Sequence, residues 1–312
     1  DSRKHLEDNL ESWTKLALQY KEEKTYPWPK ASNVKFPLLA TAAMQFNARS
    51  YPTLVPADGK IVHAEVVGKD LTGEKKLRAD RISNFMSYQL MKQMEGWDEQ
   101  MDKLLLILPI VGTCFKKTYW DSMKKRNCSR LVLPKDLVVN YWAVSLEETE
   151  RKTERIEMSR RVLQERVNAE VFLDVKLADP TAQGKEITTN SASGNLQNMT
   201  VGKDDKTTPY VILEQHTFLD LDDDGYDEPY IVTIEEESKQ VLRIVARFDE
   251  RGIVVDDKGT LVKIEPVEYY TKYTFIPNPD GGFYDIGFGL LLGPLNESVN
   301  TIVNQLIDAG TL

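Results

Sequence analysis

Apolar positions recur along this chain at two periods, and the places where the period changes divide it into elements. Residues 1–24 carry Leu6, Leu10, Trp13, Leu16, Ala17 and Tyr20 on one side of a charged helix. Tyr26-Pro27-Trp28-Pro29 breaks it, because a residue preceding proline disfavours the helical region. A second helix, rich in Ala, Leu and Met, is predicted over 37–50. Residues 60–68 alternate, with Ile61, His63, Glu65 and Val67 against Val62, Ala64 and Val66, and predict a strand. A third helix over 74–95 has Ile82, Phe85, Met86, Leu90 and Met94 as its expected buried face. Gly96 is expected to bend it, and Trp97, Met101, Leu104, Leu105 and Leu108 continue the apolar row up to Pro109.

Residues 113–120 and 129–133 read as hairpin arms around a polar turn, and 153–158 as a further strand. Ser159 is a plausible N-cap for a charged helix reaching about residue 170. Residues 178–208 contain almost nothing apolar, so they cannot bury enough surface to offset their ordering entropy, and a mobile loop is expected. Residues 210–277 hold several short strands separated by Gly- and Asp-rich turns, which suggests a small barrel or sandwich.

The last stretch, 283–312, organises the rest. Pro294 suits a first helical turn, and Gly310 a helix end. Between them Leu295, Val299, Ile302, Val303, Leu306 and Ile307 form one apolar stripe, over a helix of roughly 24 Å. Asn296, Glu297, Asn300, Thr301, Asn304, Gln305 and Asp308 form the opposite, polar face, free of positive charge. A stripe of this kind must be laid on its own domain or on a neighbouring copy. The expected fold class is therefore α+β: a helical and mixed part over 1–177, the polar loop over 178–208, a β-rich subdomain over 209–282, and a Gly-rich turn with a helix over 283–312.

Composition narrows the function classes. The 312 residues carry a net charge of −9 and a pI near 5.1, which argues against gripping duplex DNA by phosphate neutralisation. Cys114 and Cys128 have no metal-ligand spacing and read as reduced thiols. No apolar run is long enough to cross a bilayer, so no membrane partner is expected. The chain starts without Met and stops on a helix end, and is expected to be a segment of a longer protein.

Three constellations stand out. Asp220, Asp222, Asp224, Asp227 and Glu228 surround a turn glycine in the manner of oxygen ligands for a hard cation such as Ca²⁺. The twelfth loop position is Ile231 and the flanks are strands, so a solvated acidic turn with optional cation binding is favoured. Gly287, Gly289 and Gly293 run into a helix without the preceding strand of a dinucleotide loop, and are expected to permit tight turning or close packing; no cofactor is expected. Lys116, Lys117, Lys124, Lys125, Arg126 and Arg130 cluster around the 120s hairpin and read as a solvated strand edge, or less readily as a surface for nucleic acid or an acidic partner. His5, His63 and His216 sit far from any nucleophile motif, and no enzyme is expected.

The stretches 28–39, 43–52, 108–119, 134–141, 220–230 and 287–294 together resemble the portal (head–tail connector) proteins of short-tailed bacteriophages. Their order and spacing, rather than any one motif, carry the resemblance. It implies a homo-oligomeric ring, normally a dodecamer, at one capsid vertex of the virion, assembled in the host cytoplasm. Double-stranded DNA passes through such a ring without sequence specificity during packaging and ejection. Capsid and scaffolding proteins, the packaging terminase and tail adaptor proteins are the implied partners. The wing would run to about residue 283 and the first stem helix over 295–309, with clip, second stem helix, channel loop and crown following Leu312. On that basis Asn296, Asn300, Asn304 and Asp308 are expected to face the channel, since a polyanion slides best past a wall without Lys or Arg. Leu295, Val299, Ile302, Val303 and Leu306 are expected to pack subunits together. A second class stays open: an α+β cation- or carbohydrate-binding module built on the acidic loop.

Overall fold

The computed structural model describes residues 3–21, 28, 29, 31–180, 208–257 and 261–311. The polar loop expected over 178–208 lies almost wholly outside them. Among the described residues the chain has six helices and ten strands in three sheets, an α+β fold with a strand-rich part, as expected.

Two compact units form, dividing at residues 5/6, 132/133 and 269/270. The expected division at 177 and 209 differs because strand pairing is non-local. In the first unit, β1 (Leu137–Val139), β2 (Lys152–Met158), β3 (Tyr210–Leu219), β4 (Glu228–Glu235) and β5 (Val241–Ala246) make one antiparallel sheet in that order. Ile156 pairs with Ile212 across the polar loop, which binds residues on either side of it into one unit. The helix α1 (Arg160–Asn168) begins where the serine cap was expected: the Ser159 hydroxyl accepts the Val162 N–H at 3.4 Å. Met158, Leu163, Phe172, Tyr210, Ile212 and Leu242 form the core beneath it. β6 (Phe248–Val255) and β7 (Leu261–Pro266) form a separate ribbon. The described strands thus make an open meander and a ribbon, and close no barrel.

The second unit contains the helices α2 (Lys4–Ala17, from Leu6 onward), α3 (Leu38–Leu54), α4 (Glu74–Tyr88), α5 (Trp97–Val111) and α6 (Phe288–Thr311). It also holds a three-stranded sheet of β10 (Tyr270–Thr274), β8 (Thr113–Asp121) and β9 (Arg126–Val132). α5 supplies the centre of its core through Trp97, Met101, Leu104, Leu105 and Leu108, joined by Met94, Val55 and Cys114. A π-helical turn, Gln89–Gln93, and the left-handed Gly96 separate α4 from α5, so the expected bend is a real break within one unit.

Two expectations fail here. Residues 60–67 join no sheet, and α4 turns its serines inward instead of its apolar row. Ser87 accepts the Val62 N–H at 3.1 Å and Ser83 donates to the Val62 carbonyl, so α4 holds an extended segment by backbone hydrogen bonds. Ile82, Phe85 and Met86 are consequently exposed. Lys116 and Lys117 fall on the central strand of their sheet and are buried, so they form no solvated edge; Lys124 and Lys125, in the turn, do stand in solvent.

Asp285 fixes the approach to α6. Its carboxylate accepts from Thr113 and Thr274 and pairs with Lys272 at 2.7 Å, while its N–H donates to the Thr113 hydroxyl at 2.7 Å. The turn then crosses Gly112, whose φ of +87° and lack of a Cβ are both required. A Cβ there would sit 2.3 Å from the Asp285 carbonyl oxygen.

Candidate functional site

α6 begins at Phe288, more than a turn before Pro294, so the proline lies inside it. One continuous face points inward. It starts at Gly289, where a Cβ would meet the Trp13 ring at 2.5 Å, and continues as Asn296, Asn300 and Asn304, all buried. The packing role expected of the glycines is therefore filled by an indole ring.

The asparagines bind backbone. The Asn296 Oδ1 accepts the Leu39 N–H at 3.1 Å, and its Nδ2 donates to the Phe36 carbonyl at 3.0 Å. The Asn300 Oδ1 accepts the Phe36 N–H at 2.6 Å. The Asn304 Oδ1 accepts the Val34 N–H at 2.6 Å, and its Nδ2 reaches the Val34 carbonyl at 2.9 Å. Asp308 accepts the Ser32 N–H at 2.8 Å. The helix thus offers an extended segment, 32–39, the alternating donors and acceptors that a partner strand would offer. Buried peptide groups demand such partners, and side chains four residues apart on a helix supply them at regular intervals.

This corrects the expectation that Asn296, Asn300, Asn304 and Asp308 face a channel. They are engaged with their own chain. The stripe on the other side is what α6 shows outward: Leu295 is 54%, Ile302 55% and Leu306 68% exposed, with Val299 and Val303 half-buried. Among the described residues, nothing covers the centre of that stripe.

The acidic turn lies in the other unit, between β3 and β4. Asp220 accepts the Asp224 and Gly225 N–H groups at 3.2 and 2.9 Å, and Asp224 accepts the Tyr226 N–H at 2.8 Å. Oxygens of Asp220, Asp222 and Asp224 lie within 4.8 Å of one another. Partial loss of hydration, then the Asp224 carboxylate, pushes the Asp222 carboxyl above its ordinary range. Asp227 stands in solvent outside this group, and Glu228 instead accepts from the Tyr230 hydroxyl, which is pushed up to about 12. Three of the five expected ligands are therefore brought together, by a turn whose own backbone occupies part of their capacity.

Two buried charged sites, one a cluster and one a lone cation, were not visible in the sequence. Lys152 and Arg247, each 1% exposed, both pair with Glu268, at 2.5 and 3.0 Å. Burial, opposed by Glu268, leaves the Lys152 ammonium below its ordinary range. In the other unit Lys116 makes no hydrogen bond among the described residues; its ammonium lies 4.8 Å from the centre of the Trp97 ring, and burial lowers it to about 8. Only strand alternation hints at such residues, and it cannot say that both faces of a strand are covered. His216 is buried beside Glu214 and the Tyr269 ring; His63 is exposed on its extended segment.

No protein-family model matches the chain, and no curated protein matches it.

Proposed function

We propose that this chain is a structural subunit of a portal ring, a homo-oligomer at a capsid vertex through which double-stranded DNA passes and to which capsid, scaffolding, terminase and tail proteins attach. The observation that carries the reading is the outward apolar stripe of α6, a helix whose opposite face is already engaged with its own chain. Contiguous exposed apolar surface of this kind marks an interface, and a stripe on a rigid helix suits a copy of itself. In this reading α6 packs subunits, and lining the channel is not among the roles of its asparagines. The net charge of −9 suits a ring that lets a polyanion slide. The test is Ile302→Asp: the residue is exposed in the protomer, so the variant should fold as the parent does and fail to assemble. A variant that assembles normally removes the reading's support.

The acidic turn favours a second reading, a cation-binding module, because three carboxylates converge there. A rise of several degrees in melting temperature on adding Ca²⁺, in a protein that stays monomeric, would favour it over the ring.

A further inference from the structure

Between Gly59 and Gly68, both at positive φ, the chain reads KIVHAEVV. Ile61, Val62, Val66 and Val67 favour a strand, and no proline interrupts them, yet the segment joins no sheet. Its start is anchored, since Ile61 packs against the core of its unit. Val62 is then held at both peptide groups by α4, its N–H by Ser87 and its carbonyl by Ser83. In an extended chain the N–H and C=O of one residue point to the same side, and that side alternates from residue to residue. α4 therefore runs along the edge to which Val62, Ala64 and Val66 point. Ile61, His63, Glu65 and Val67 turn their peptide groups to the opposite edge, and among the described residues these four make no hydrogen bond. His63 and Glu65 stand in solvent, and Val67 is 94% exposed. An open edge of β-branched residues without proline is a template for another strand.

We infer that this edge pairs antiparallel with the same segment of a second copy, about a two-fold axis at Ala64. The sequence is complementary to itself in that register and in no neighbouring one. Centred on Ala64, Ile61 lies opposite Val67, Val62 opposite Val66 and His63 opposite Glu65. The imidazole donates an N–H to the carboxylate whatever its charge. Centred on Glu65, or paired parallel in register, the segment would set carboxylate against carboxylate, and like charges directly opposite are destabilising. Centred on His63, it would set Ile61 against Glu65. The open edge makes the same choice: in the Ala64 register the exchanging pairs are 61 with 67 and 63 with 65, the residues whose peptide groups face outward. The contact is isologous, separate from the α6 stripe, and does not rest on the ring reading. A pairing of two short strands is marginal in water, so covalent capture reads it better than mass does.

Ala64→Cys tests the register, because residues facing each other at a non-hydrogen-bonded position have Cα atoms about 4.5 Å apart, within reach of a disulfide. Cys114 is buried and its thiol is pushed up by burial, so it stays; Cys128 is replaced by serine. On mild oxidation the expected product is a dimer joining residue 64 to residue 64, identified by mass spectrometry of the linked peptides. Two further changes separate pairing from chance collision. His63→Glu, and His63→Lys together with Glu65→Lys, each set like charges opposite one another twice in this register. Each is expected to slow the link roughly tenfold when oxidised alone, and a mixture of the two to restore it. Both sites are exposed, so unchanged melting temperatures show that the variants fold. Links that form equally in all samples, or that join residue 64 to other positions, overturn the inference. If the parent forms rings and no 64–64 link appears, this inference falls and the ring reading stands. A charge-dependent link in a parent whose mass shows no ring supports this inference and removes the ring reading.

Discussion

Asn304 holds Val34 from both sides of its peptide: one amide oxygen accepts the N–H at 2.6 Å and the amide nitrogen donates to the carbonyl at 2.9 Å. The same side chain takes the Ser32 hydroxyl at 2.8 Å and donates to the Asn300 carbonyl at 2.7 Å. A single amide thus stands in for a paired strand. Asn304→Ala is expected to destabilise the protein by about 2–4 kcal/mol in urea unfolding, because two buried peptide groups lose their partners. Hydrogen exchange should rise first at residues 32–36. Unchanged stability would mean that water replaces the amide without loss.

Asn300→Lys separates an inward from a channel-lining face. Asn300 is 7% exposed and accepts the Phe36 N–H. The lysine would place a charge in the seam, so a loss of about 2 kcal/mol or more in unfolding free energy is expected. A neutral outcome would put the residue on a wet surface.

Lys116 makes stability depend on pH in an alkaline window. Its folded-state value of about 8 lies below the ordinary 10.5, so between these values the unfolded chain binds the extra proton and stability rises with pH. Below about pH 8 the folded chain keeps the buried charge at a cost of about 3 kcal/mol, at 1.4 kcal/mol per unit. Lys116→Met keeps the stem's packing on Trp97, and should raise stability at pH 7 and flatten the rise from pH 8 to 10.5. A variant less stable than the parent at pH 7 would show the ammonium to be favourably held.

Trp97, 8% exposed, lies at the junction of the π-turn and α5 and packs with Met94 and Met101. Trp97→Ala is expected to cost roughly 3–5 kcal/mol in thermal or urea unfolding. A cost below about 1 kcal/mol would place the indole outside the core.

Several elements were legible in the sequence because their determinants are local: the Ser159 cap, the apolar row of α5, and the hairpin of β8 and β9; the end of α5 was not, since Pro109 was expected to stop the helix and it runs on to Val111. The departure of β10 to pair with β8 was not legible, since Phe115 and Lys272 meet only through the rest of the fold. The inward face of α6 was visible as a period but not as a direction. Asparagine and serine on a helix ordinarily face water, and nothing in the pattern of residues 32–39 or 60–64 announces a backbone that needs amide or hydroxyl partners. The same reversal befell α4, where Ser83 and Ser87 displaced Phe85 and Met86 from the inner side. In the acidic turn the clustering of Asp220, Asp222 and Asp224 was legible and the diversion of Glu228 to Tyr230 was not.

Self-association is the property on which the account depends most, and the mass of the purified protein in solution, with negative-stain images of the same sample, measures it. The account predicts closed rings with a central hole for the parent, and a folded monomer for Ile302→Asp. A parent protein that stays monomeric across concentrations at which its apolar helix faces remain in solvent would contradict it.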